Sequence, residues 1–195
     1  MATNYLRMEY LLGRIDQPNR TACEKLFSDN RKLWKQSPGS TNNHQAWPGG
    51  YLDHITEVMN IAIAIYESLS AARMLPFSLS DALLVLFLHD LEKPWKYERK
   101  TDGQLHHKAE MQTKGQHNDF RLKKAEEYGI VLTEQHKNGI KYAEGELDDY
   151  SGKTRVMGPL AAFVHMCDVC SARIWFDQPA EQKLAWMHAQ RWRSS

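Results

Sequence analysis

The sequence predicts an all-α fold, a single domain of roughly seven or eight helices. Three observations carry this. Leu52, Ile55, Val58, Met59, Ala62, Ile65, Tyr66 and Leu69 recur at helical spacing, and shorter stretches follow the same period. No strict alternation runs long enough to build a sheet. Residues 82–88 and 160–176 are apolar on nearly every side, as in buried helices.

Helices are expected over about residues 5–15 and 21–35, before the loop Ser37-Pro-Gly-Ser-Thr-Asn-Asn43. Trp47-Pro-Gly-Gly50 turns the chain into the long amphipathic helix. Ser78 and Asp81 have capping-box spacing, with Ser80 as an alternative cap. The helix they open should stop near Lys93, because the residue before Pro94 is biased away from helical backbone. Residues 96–116 are polar, rich in Lys and His, and read mainly as loop. Helices follow at about 117–128 and 133–143, then the acidic run 144–149 as a solvated loop. Gly158-Pro159 starts the last apolar helix, with Pro near its first position. A terminal helix is expected at about 180–193.

The 195 residues suffice for a sizeable core, and 42% apolar with 25% charged residues suits a globular protein. A net charge of +1 disfavours a protein that coats nucleic acid. No window approaches a membrane span, and the N-terminus lacks a signal-peptide core. Cys23, Cys167 and Cys170 are too few for a disulfide framework, so a reduced cytoplasm is the expected setting. Cys167-Asp-Val-Cys170 lacks the second ligand pair of a zinc ribbon and reads as buried small hydrophobes.

The informative residues are the polar ones on apolar helices. His54 shares a face with Val58, Ile61 and Ile65. His89 and Asp90 end an apolar run, and Asp168 lies within Ala161-Ala-Phe-Val-His-Met-Cys-Asp-Val-Cys170. An unpartnered carboxylate in an apolar setting costs on the order of several kcal/mol or takes up a proton. Two histidines and two carboxylates on three buried helices can satisfy one another around one divalent cation.

In that order these residues resemble the motif of the HD-domain superfamily of metal-dependent phosphohydrolases. Asn43-His-Gln-Ala-Trp-Pro-Gly-Gly-Tyr-Leu-Asp-His54 is similar to the family's Gly-Gly-Leu-x-x-His, with Tyr51 for Leu. Leu88-His-Asp-Leu-Glu-Lys93 is similar to Leu-His-Asp-Leu/Ile-Gly-Lys, and residues 159–172 resemble the helix of the last aspartate. The likeness spans about residues 43–176 and implies an HD core there, with helices added at either end. It implies His54, His89, Asp90 and Asp168 as ligands of a divalent metal, one or two ions drawn from Mn, Fe, Co, Ni, Zn or Mg. His117 and His136 fall where two-metal members place further ligands; His106 and His107 are weaker candidates. His165 is expected to pack or to hold a carboxylate near the site, His44 to line the pocket, and His188 to lie on the surface.

Phosphoester hydrolysis needs an activated water and cations to clamp phosphate oxygens. Asp90 could bridge two metals, and Lys93, matching the motif lysine, is the first clamp candidate. Lys96, Lys137, Lys141 and Arg173 are further substrate-binding candidates. Glu92 stands where the family usually has Gly, and could act as a general acid or pair with Lys93 or Lys96. The expected function is hydrolysis of a small phosphorylated substrate, a nucleotide foremost: nucleoside monophosphatase, dNTP triphosphohydrolase or cyclic-nucleotide phosphodiesterase. The alternatives are a nucleic-acid-trimming phosphodiesterase, which the chain's size disfavours, and a non-catalytic nucleotide- or partner-binding module. The sequence leaves the oligomeric state open.

Overall fold

Helix α3 (Gly50–Ala72) is the axis of the architecture, and the reason lies at its start. Gly49 adopts a left-handed backbone (φ 86°) that lets the chain turn sharply into the helix. A Cβ on Gly50 would fall 1.8 Å from the carbonyl oxygen of Gln45. That oxygen accepts from Gly39 N and Trp47 N, each at 2.9 Å. The glycine pair thus lets the loop fold tightly over the helix N-terminus, and every residue from Gly50 to Ile63 is buried.

The computed structural model describes residues 5–41, 43–99 and 105–174. The expected helix at 180–193 and His188 lie outside the described residues. Around α3 stand α1 (Met8–Leu12), α2 (Asn19–Gln36), α4 (Leu79–Leu88) and α8 (Pro159–Val169). Trp34 of α2 is fully buried between Phe27, Tyr51 and Phe87, with ring centroids 5.2–5.7 Å away. That aromatic cluster joins α2, α3 and α4 below the residues of interest. α6 (Lys114–Glu127) and α7 (Glu134–Lys141) complete the fold, α7 lying against both α4 and α8. No helix among the described residues is long and apolar enough to cross a membrane.

The class is all-α, as expected, with four local corrections. α4 opens with the Ser78–Asp81 capping box but ends at Leu88 rather than near Lys93. Leu91 N bonds to Leu88 O and Lys93 N to Asp90 O, so 89–92 form tight turns before the short α5 (Lys93–Lys96). Residues 96–116 are not all loop: β1 (Tyr97–Arg99) and β2 (Leu105–His107) pair antiparallel, Tyr97 opposite His107. α8 stops at Val169 and widens into a π-helical turn, Cys170–Ile174. It is buried on one side only, since Met166 and Val169 are exposed.

Candidate metal centre

His54, His89, Asp90 and Asp168 converge. His54 is on the first turns of α3, His89 caps α4, Asp90 follows in the turn, and Asp168 is near the end of α8. His54 Nε2 lies 3.3 Å from His89 Nε2, 3.4 Å from Asp90 Oδ2 and 3.2 Å from Asp168 Oδ1. His89 Nε2 is 3.5 Å from Asp90 Oδ2 and 3.6 Å from Asp168 Oδ1. Both histidines are fully buried.

The other nitrogen of each ring decides what these atoms can do. His89 Nδ1 donates to Leu86 O at 2.7 Å. His54 Nδ1 lies 3.2 Å from Ser171 Oγ, and that hydroxyl donates to Glu57 Oε2 at 2.6 Å. Ser171 has then spent its proton and accepts from His54 Nδ1–H. Gln45 Nε2 reaches both Glu57 Oε2 and Ser171 Oγ at 3.2 Å. With Nδ1–H engaged on the far side, each ring that gives up any Nε2 proton turns an Nε2 lone pair toward the carboxylates, as metal ligands held by hydrogen bonds on their far side do. The donor set fits a divalent ion: bonds of about 2.1 Å to a tetrahedral centre put donors about 3.4 Å apart.

The electrostatics agree with the burial. Burial opposes ionisation of Asp90, but Lys93, then the histidines, hold its carboxyl well below the usual range. Burial likewise opposes ionisation of Asp168, and hydrogen bonds from His54 and His89 reverse the balance and lower its pKa. For His54 the burial penalty on the charge is outweighed by Asp168 and Asp90, so its pKa is raised. Lys93 Nζ sits 2.5 Å from Asp90 Oδ2 and 3.3 Å from His44 Nε2. Burial, then the Lys93 ammonium, push His44 down to about 3, so its neutral Nε2 accepts from Lys93.

A cleft of about 340 Å³ opens onto Asp90, Lys93 and Asp168. Its rim carries Ser40, Thr41, Asn43 and His44 on one side and Val169, Ala172 and Arg173 on the other. Ser40 Oγ accepts from Asn43 N and His44 N and donates to His44 O, all at 2.8 Å, which fixes the loop that brings in His44. His165 lines the same cleft, with Nδ1 donating to Ala143 O.

Other expected residues lie elsewhere. His136 is the N3 residue of the α7 capping box: Nδ1 accepts from Thr133 N at 3.2 Å and Nε2 donates to Asp81 Oδ1 at 2.8 Å. Both ring nitrogens are engaged, so neither lone pair is offered to the cluster. His117 Nε2 donates to Met111 O, and its Nδ1 is 4.0 Å from Glu92 Oε1. Among the described residues, the groups arranged to hold an ion are His54 with His89 and Asp168, and His44 with His54 and Asp90. His106 and His107 lie on β2. Lys137 pairs with Glu134, and Lys141 with Asp149, each at 2.7 Å. Lys96 lies over the Tyr97 ring. Glu92 is gripped by Arg121 rather than by Lys93 or Lys96 among the ion pairs of the described residues, with Nε–Oε2 2.6 Å and Nη2–Oε1 3.0 Å. Arg121, Glu57, Gln45 and Ser171 are the residues that sequence reasoning misses. Glu57, one turn past His54 on a buried helix, is the one with a readable signal.

No protein-family model matches the chain, and no solved structure matches it. A dihydroneopterin 2',3'-cyclic phosphate phosphodiesterase of Methanocaldococcus jannaschii is 30% identical to it over 73 residues. The match covers 37% of this chain and 29% of that protein, so the chain spans less than a third of this relative's length.

Proposed function

We propose that the chain is a metal-dependent hydrolase of phosphoester bonds in small phosphorylated molecules, built on an HD-type core over about residues 43–176. The observation that carries this is the convergence of His54, His89, Asp90 and Asp168, with both imidazole Nε2 atoms turned inward. A divalent ion in that position lowers the pKa of a bound water and polarises a phosphoryl oxygen. The protein's own part is to hold the four donors, keep the rings in the Nδ1–H tautomer, and supply cations to the phosphate.

Lys93 at the floor and Arg173 at the rim border the cleft from which a phosphate would reach the cluster. The relative's activity on a 2',3'-cyclic phosphate supports phosphoester cleavage and extends the candidate substrates from nucleotides to heterocycle-bearing cyclic phosphates. Cleft size is in the range that suits such molecules.

The test is hydrolysis of a panel of mono-, di-, tri- and cyclic phosphates with Mn²⁺, read by chromatography. Asp90→Ala and Asp168→Ala should each lose at least about 100-fold in activity, consistent with removal of a metal ligand, while circular dichroism stays helical. Near-normal turnover in either variant would overturn the assignment.

A further inference from the structure

Asp90 presents its two oxygens to different partners. Oδ2 faces His54, His89 and Lys93. Oδ1 lies 3.7 Å from Arg121 Nη2. That guanidinium is itself held by Glu92 through two hydrogen bonds, by Ile140 O at 3.4 Å and by Glu144 Oε1 at 3.4 Å. Asp90, Glu92 and Arg121 are all buried, with relative exposures of 2%, 1% and 4%. A carboxylate that bridges two metal ions through both of its oxygens gives one oxygen to each. Here the second oxygen already faces a fixed positive charge that no accessible pH removes.

Local charge points the same way. Asp90 is already met by two cations, Lys93 at Oδ2 and Arg121 at Oδ1. A divalent ion at Oδ1 would stand against the Arg121 guanidinium, and like charges repel strongly in a buried site.

We infer that this centre binds one divalent ion per chain, with Arg121 standing in for a second beside Asp90 Oδ1. The inference rests on the metal-centre reading above. Arg121 acts on substrate through Asp90 and Glu92, so it is a positioning residue.

The experiment is metal titration of chelator-treated full-length protein with Mn²⁺ by calorimetry, with elemental analysis after dialysis. One ion per chain is expected. Two ions of similar affinity would overturn the inference and leave the metal-centre reading standing; no binding would overturn both. Arg121→Gln frees Asp90 Oδ1 and Glu92, with His117 Nδ1 nearby, and should admit a second, weaker ion. Spin coupling in the Mn²⁺ resonance spectrum would report it. A folded Arg121→Gln protein that still takes one ion would overturn Arg121's role. If that variant does not fold, Arg121→Lys keeps the charge and should still take one ion; two ions there would overturn the role equally.

Discussion

Ser171 Oγ stands 3.2 Å from His54 Nδ1 and 2.6 Å from Glu57 Oε2, joining a ligand candidate on one helix to a buried carboxylate through a residue from another. The π-helical turn after α8 is what brings the serine inward, fully buried, one turn past Asp168. Ser171→Ala removes the acceptor for His54 Nδ1–H and loosens both the tautomer and the ring. Metal affinity should fall about 10- to 100-fold, the usual range for such partners. Ser171→Thr should recover most of it, and calorimetry on the three proteins decides. Unchanged affinity in the alanine variant would mean that the tautomer is set elsewhere.

Lys93 touches the same Asp90 oxygen that faces the histidines, so it competes for that oxygen with any bound cation. Lys93→Ala should therefore raise metal affinity several-fold while lowering turnover by roughly 30- to 1,000-fold, through loss of a charge aimed at phosphate. Opposite signs in the two measurements distinguish this role from simple ligation, which would lower both.

The raised pKa of His54 gives metal uptake a pH dependence with a definite sign. Burial alone would lower it, but Asp168 and Asp90 win, so the proton is held above the ordinary value of 6.5. Metal must displace that proton. Affinity should climb with pH, by about tenfold per unit while His54 is protonated, and level off above its folded pKa. Mn²⁺ titrations between about pH 6 and 8.5, with proton release read from the buffer dependence of the heat, test this. A flat profile without proton release would refute it.

Gly50→Ala should destabilise the fold by about 2–3 kcal/mol, because its Cβ meets backbone atoms of Gln45 and Gly39 that cannot swing aside. Urea denaturation should show a lower midpoint with an unchanged slope. A midpoint equal to wild type would mean that the loop over α3 yields freely.

The four converging residues are legible because each interrupts an apolar face, where an ionisable group needs a partner. The glycine pair at 49–50 is legible because a sharp turn needs it. Arg121 is not: α6 reads KGQHNDFRLKKAEE, polar nearly throughout, and no period marks its inward side. The early end of α4 is hidden too. Pro94 signals a boundary at residue 93, while the helix ends at Leu88 and His89 Nδ1 bonds back to Leu86 O. His136 misleads because a histidine at N3 of a helix can serve a cap as readily as a metal. The short β1–β2 ribbon offers three residues per strand, too few for alternation to show.

The grip of Arg121 on Glu92 also constrains how this chain can change over generations. Glu92→Gly alone would take from a buried guanidinium its two shortest hydrogen bonds, and loss of Arg121 alone would take from the buried Glu92 carboxylate the cation that holds it. Breaking a buried pair from one side costs about 3–5 kcal/mol, a large share of a typical domain's stability. The two codons are therefore tied: a lineage that acquires both residues leaves that state only through a weakened intermediate, or by changing both at once.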